Sequence, residues 1–283
     1  MLAGAYAKIN LVLDVLGTRP DGYHELATVM QTLELHDSVE IKEAREIELV
    51  VEGAVLPTGP CNLAFRAADV LRRRVGYTGG ARIKLVKRIP LAAGLAGGSA
   101  DAAAVLRGLN NFWGLGMQSG ELEEIGAAVG SDVPFCLRGG TALVRGRGER
   151  VEPLPGLPPL GVVLAKPPFG VSTALVYNRY DDTKDPLHPD VQGMLQAVRS
   201  GDVNGVVTRL GNSLEAVTLA MHPEIGEIKS VLAAAGALGV LMSGSGPTVF
   251  GLFENLSTAR QAADRIRGGN FGLWVTKLYT PPA

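Results

Sequence analysis

The run ARIKLVKRIPLAAGLAGGSADAAAVLRGLNNFW, residues 81–113, restricts the fold of this chain more than any other stretch. It begins with the alternation of a strand, passes through a loop of glycines and alanines, and ends at helical spacing. Ala102, Val105, Leu106, Leu109, Phe112 and Trp113 fall on one stripe of that helix. Backbone amides can surround an anion only where side chains do not block the approach. A helix N-terminus adds unpaired N–H groups and about half a positive charge. Gly94, Gly97 and Gly98 give the access, and Ser99 stands where a side chain can cap the first turn. The stretch therefore reads as a phosphate-binding turn, or else as a packing turn in which small residues let strand and helix approach. It is not a Walker loop, because the lysine of GxxxxGK[ST] is absent, and it lacks the GxGxxG spacing of dinucleotide sites.

The rest of the chain supplies elements of both kinds. Strands are expected over 5–16, 38–41 and 47–53, with the turn residues of RPDGYHEL interrupting after the first. A helix is expected from Asn62 to a stop at Gly76, then a short helix before Gly130 and a hairpin over 141–155. The PGLPP stretch at 155–159 breaks both periodicities and marks the expected boundary between domains 1–155 and 156–283. The second half reads as a strand (GVVLAKP), helices at 172–180, 190–200, 203–220 and 223–235, and a strand pair around a Ser/Gly turn. A helix over 257–267 and a strand over 273–279 close it, so an α+β layering is expected.

With 283 residues, 46% hydrophobic and 19% charged, the chain has material for two packed domains. A net charge of −1 gives no electrostatic reason to expect nucleic acid or an anionic membrane as partner. Cys61 and Cys136 stand apart without metal-ligand spacing; both are expected in the core of a protein kept in a reducing compartment. The N-terminal run carries Lys8 and Asp14, unlike a secretion signal, so a cytoplasmic location is expected.

Several polar residues sit in apolar company. Lys8 and Asn10 share one face of the first strand, where Lys8 either points outward from an edge or meets a carboxylate. Asp132, between Gly130 and Pro134, fits a turn or helix cap. Asn62 fits an N-cap, His24 a loop position, and the SGSG of 243–246 a hairpin or bulge. Spacing alone does not bring Lys8 and Asp132 together.

Taken in order, AYAKINLVLDV, RPDGYHEL, PLAAGLAGGSADAA, GSDVPFCLRGG and MSGSGPTVFGLF resemble the GHMP kinase superfamily over nearly the whole chain. The AKINL start, RPDGYHEL and GSDVPF resemble the branch acting on 4-diphosphocytidyl-2-C-methyl-D-erythritol. The resemblance implies a two-domain α/β fold: an N-terminal domain like ribosomal protein S5 domain 2 and a ferredoxin-like C-terminal domain, with the site between them. It implies transfer of phosphate from ATP, with Mg²⁺, to the 2-hydroxyl of that small-molecule substrate in non-mevalonate isoprenoid synthesis. No metal ligands are assigned, and a monomer or weak homodimer is expected. Lys8 and Asp132 match the family's catalytic pair. Asn10, Tyr23, His24, Thr173 and Tyr177 match positions facing the acceptor. Pro90, Leu91, Ala92, Ala93, Gly94, Leu95, Ala96, Gly97, Gly98, Ser99 and Ala100 match the ATP phosphate loop, and Asn62 and Lys87 match residues near the adenine.

Overall fold

The computed structural model describes residues 1–280; residues 281–283, the end of the expected second domain, lie outside that range. Two long strands, β1 (Leu2–Thr18) and β2 (His24–Ala44), are joined across the RPDG turn and followed by β3 (Ile47–Glu52). Helix α1 (Leu63–Val75) and β4 (Gly80–Val86) lead into the glycine loop. Beyond it come α2 (Gly97–Phe112), α3 (Ser119–Val129), the short α4 (Val133–Arg138) and the hairpin β5 (Thr141–Gly146) with β6 (Arg150–Pro153). The second half holds β7 (Gly161–Lys166), α5 (Thr173–Asp181), α6 (Val191–Ser200), α7 (Val203–Thr208), β8 (Gly211–Asn212) and α8 (Glu215–Met221). It ends with α9 (Glu224–Ala234), β9 (Gly239–Met242), β10 (Val249–Phe253), α10 (Leu256–Arg265) and β11 (Gly272–Lys277).

These strands form two sheets. The larger has the order β3-β4-β2-β1-β8, and β2 is long enough to pair β5 along residues 26–31 and β4 along 38–44. The smaller is antiparallel, order β11-β7-β10-β9, with α9 and α10 packed against it. A β-α-β-β-α-β chain in that strand order is the ferredoxin-like layering. The main core runs from β1, β2, α1 and α2 through to Leu164, Met194 and Phe250 of the second half, and a separate cluster lies between the smaller sheet and α9 and α10.

Local chemistry explains most element ends. The Asn62 side chain accepts the N–H of Ala64 at the start of α1, and Gly76 closes it in the left-handed conformation at φ 63°, as the sequence suggests. Ser99, expected as a cap, is not one. Helix α2 starts two residues earlier at Gly97, with left-handed Ala96 at its N-cap and no side-chain cap bond.

Strand β2 exceeds the expected 38–41 because residues 27–33 are buried on both faces, and a doubly buried strand shows no alternation. The helix expected over 203–220 breaks around Gly211 and Asn212, which pair in parallel with Val12 and Leu13 of β1. Asn212 donates to the carbonyls of Met242 and Gly244 and accepts from Leu214 N–H, tying three segments together in a way local periodicity does not encode. Cys61, expected in the core, is exposed in the turn before α1, and Cys136 is half-buried.

Candidate active site

Strand β1 has β2 along one edge, while the other edge is covered by two different pieces. At Val12 and Leu13 it is β8; at Lys8 it is the glycine loop, whose Leu95 carbonyl accepts the Lys8 N–H at 3.1 Å. Ladder irregularities fall on both sides of this point, between Tyr6 and Lys8 and between Asn10 and Val12. Such irregularities re-aim side chains locally. Here Lys8 and Asn10 turn into the interior, so the outward edge lysine entertained from sequence is not what forms.

Burying an ammonium requires partners. Lys8 Nζ donates to Asn10 Oδ1 at 2.8 Å and to the Gly94 carbonyl at 3.1 Å, and it stands 3.7 Å from Asp132 Oδ2. Asn10 donates in turn to Thr28 Oγ1, which donates to the Val12 carbonyl, so the lysine's support is itself held. Asp132 precedes α4 as its N-cap residue but makes no side-chain cap bond. At 30% side-chain exposure its carboxylate faces the cavity beside Lys8.

The loop between β4 and α2 is shaped by left-handed residues at alternate positions, Ala92 (φ 48°), Gly94 (φ 72°) and Ala96 (φ 56°). Alternation of that kind turns successive amides toward a common concavity. The first intrahelical bond runs from Ala100 N–H to the Ala96 carbonyl, placing the amides of Gly97, Gly98 and Ser99 ahead of the ladder. Gly94 must be glycine on a second ground: a Cβ there would lie 2.2 Å from the Ser243 carbonyl oxygen. The SGSG turn thus packs directly against the phosphate-type loop, and Ser243 Oγ donates to the Gly94 carbonyl at 3.0 Å.

One cavity of about 810 Å³ collects these parts. Lining it are Lys8, Asn10, Tyr23, His24, Lys87, the loop residues from Pro90 to Ser99, Asp132, Thr173 and Tyr177. Asn62 and Ala100 are not in the lining: Asn62 is occupied as the cap of α1, and Ala100 is buried behind the loop. At one end the His24 and Tyr177 rings lie 4.6 Å apart at 30°, with His24 Nε2 against Asp181 Oδ1 at 2.7 Å. Burial, reinforced by the charge of Asp132, pushes the Tyr177 phenol up from its ordinary value, so it stays protonated and able to donate. Thr173 Oγ1 meets Ser245 Oγ at 2.9 Å, joining α5 to the SGSG turn.

Lys87 lines the cavity but spends its ammonium inside the protein, on the carboxylates of Asp37 and Asp101. Desolvation pushes the Asp101 carboxyl up to about 8 against the pull of Lys87, with Asp37 adding repulsion.

Of the charged residues lining the cavity, two escaped the sequence reading, Arg66 and Arg147. Arg66 sits within a helix whose visible signal was its apolar stripe. Arg147 is in the RGRGE turn of a hairpin, where a charge ordinarily points to solvent, and nothing local distinguishes it.

A family model described as the GHMP kinases N terminal domain matches residues 62–140, and one for the GHMP kinases C terminal domain matches 194–270. A 4-diphosphocytidyl-2-C-methyl-D-erythritol kinase of Pelotomaculum thermopropionicum is 55% identical over 98% of this chain and 97% of its own length. The kinase of the same name from Moorella thermoacetica is 53% identical over 93% of each. The crystal structure of a 4-(cytidine 5′-diphospho)-2C-methyl-D-erythritol kinase superposes with a TM-score of 0.83 at 38% identity, covering 99% of this chain and all of that one. A mevalonate kinase of L. major, solved with R-mevalonate, shares the fold at 16% identity, with a TM-score of 0.78 over 100% of this chain and 97% of its own.

Proposed function

The chain belongs to the GHMP kinase family and is a small-molecule kinase, and from that premise we propose its reaction: transfer of the γ-phosphoryl group of ATP to the 2-hydroxyl of 4-diphosphocytidyl-2-C-methyl-D-erythritol, giving the 2-phosphate and ADP. Relatives about half identical over nearly their whole length carry the name of that activity. The observation that carries the mechanism is the position of Asp132 and Lys8, 3.7 Å apart, in the wall of the same cavity as the amide-rich loop.

Phosphoryl transfer asks a protein mainly for alignment and charge stabilisation. The loop amides and the N-terminus of α2 hold the triphosphate. Asp132 accepts the proton of the acceptor hydroxyl, the freed oxygen bonds to the γ-phosphorus, and the bond to the β-phosphate oxygen breaks, leaving its electron pair on ADP. General base catalysis of this kind contributes about 10² to 10⁴ in rate. Lys8, fixed by Asn10 and Gly94, orients the carboxylate and places positive charge beside the reacting oxygen. The aromatic faces of Tyr23 and Tyr177 suit a cytosine, for which stacking contributes about 1–3 kcal/mol. His24 stands beside them to read the edge of the base.

Among the described residues no three His, Cys, Asp or Glu converge as a metal centre, while the cavity offers the Asp132 carboxylate and the Ser99 hydroxyl as oxygen donors. That set fits Mg²⁺ held chiefly by nucleotide phosphates and water, where it would neutralise phosphate charge. We take residues 1–155 as the ATP-binding domain and 156–283 as the second domain of a cytoplasmic enzyme, monomeric or weakly dimeric. Among the described residues no helix is long and apolar enough to cross a membrane.

The test is transfer of label from γ-labelled ATP to the cytidyl acceptor, beside mevalonate and homoserine. Product is expected with the first alone, with inhibition by cytidine nucleotides. Comparable transfer to mevalonate or homoserine would overturn the acceptor assignment.

A further inference from the structure

We propose that Arg147 is the residue that holds the diphosphate of the acceptor, an inference that rests on the acceptor assigned above. Four long cationic side chains line the cavity, and two have their charge answered within the protein. Lys8 faces Asp132, and Lys87 is shared between Asp37 and Asp101. The two arginines differ. Arg66 donates to the Val129 carbonyl, and Arg147 Nη2 donates to the Ala127 carbonyl at 3.1 Å. A carbonyl anchors a guanidinium without neutralising it, and among the described residues neither arginine forms an ion pair. Each presents a charged fork whose remaining N–H groups match phosphate oxygens.

Position sorts the two. Arg66 stands on α1 within one turn of Leu63, which meets the phosphate loop at Gly98, and so lies on the ATP side. The Arg147 guanidinium lies over the Tyr23 ring, 5.1 Å from its centroid. Its neighbour Gly148 packs so closely on the segment leading to Asp132 that a Cβ there would lie 2.7 Å from the Ser131 carbonyl oxygen. An acceptor whose base stacks at the tyrosine end and whose hydroxyl reaches Asp132 must carry its diphosphate between those points. The turn carrying Arg147 meets both, with Arg147 at Tyr23 and Gly148 at Ser131 beside Asp132. The turn presenting it is fixed, since the Arg147 N–H donates to Glu149 Oε2 at 2.7 Å and Gly146 and Gly148 hold positive φ.

The test compares cytidine, CDP and ADP as probes on wild type, R147M and R147K by calorimetry, with melting temperatures confirming that each variant is folded. R147M keeps an apolar stem over Tyr23 and loses the charge. CDP affinity is expected to fall about 10–100-fold, the scale of hydrogen bonds to a charged group, while cytidine and ADP change less than about 2-fold. R147K should recover part of the loss by restoring charge without the fork. In turnover, the acceptor KM should rise far more than kcat falls. Equal weakening of cytidine and CDP would reduce Arg147 to a support for the tyrosine, and weakening of ADP alone would move it to the ATP side; either overturns the proposal. Should R147M fail to fold, R147K decides: CDP binding at wild-type strength would show that the fork is not engaged. A wild-type protein that binds neither cytidine nor CDP overturns the acceptor assignment and this inference together. Wild-type preference for CDP that persists in R147M overturns this inference alone.

Discussion

Two buried lysines flank the same glycine loop, and their surroundings are opposite. Lys8, 4% exposed, bonds the loop's Gly94 carbonyl and faces one carboxylate that is itself open to the cavity. Lys87, 8% exposed, lies behind Gly97 and is gripped by two carboxylates that are both out of solvent. Asp37 is further fixed by the N–H groups of Arg88 and Ile89, which lead into the loop. A buried charge answered by buried charge is structural, because its partners have nowhere else to turn. A buried charge beside a half-open carboxylate leaves that carboxylate able to meet a substrate. In the proposed reaction the Lys8 side is therefore the reacting side, while the Lys87 pairs hold the segment that leads into the loop.

Substitutions can break this contrast. Asp132→Asn is expected to lower turnover by about 10² to 10⁴ with little change in ADP affinity or unfolding midpoint, because Lys8 keeps Asn10 and Gly94 as acceptors. Wild-type turnover in steady-state assay would remove Asp132 from the chemistry. Lys87→Met should instead act on stability, costing about 3–5 kcal/mol by leaving the Asp37 carboxylate buried without its cation and the Asp101 carboxyl without its partner. Chemical denaturation reads this as a lower midpoint at unchanged slope, and a midpoint within error of wild type would erase the distinction between the two lysines.

Asp101→Asn sharpens it through pH. Folding raises the Asp101 carboxyl from its ordinary 3.8 to about 8, so between those values the folded chain keeps a proton that the unfolded chain releases. Its contribution to stability therefore falls as pH rises from about 4 to about 8. Asp101→Asn lacks that loss, and its stability relative to wild type should improve from pH 5 to pH 8 in urea titrations. A gap constant with pH would show that the carboxyl is already ionised at pH 5.

Much of this was legible because it is local. The Asn62 cap, the Gly76 stop, the turn at Pro20–Gly22 and the amide-rich loop each depend on residues a few positions apart. The family motifs then led to a set of residues that, Asn62 and Ala100 apart, line a single cavity. What was missed shares one cause. Strand β2 hid its length because both faces are covered, β8 exists only because β1 lends it an edge, and Arg147 enters the cavity only because a hairpin folds over Tyr23.

By itself the sequence determined which segments could be strands and helices, that a glycine loop would open a helix, and, through its motifs, the kind of kinase this is. Tertiary structure alone decided which buried lysine has a carboxylate to share with a substrate. The reason is that desolvation and charge pairing act over a few ångströms of space, and residues 8 and 132 become neighbours only when the start of α4 packs against α2 and β1.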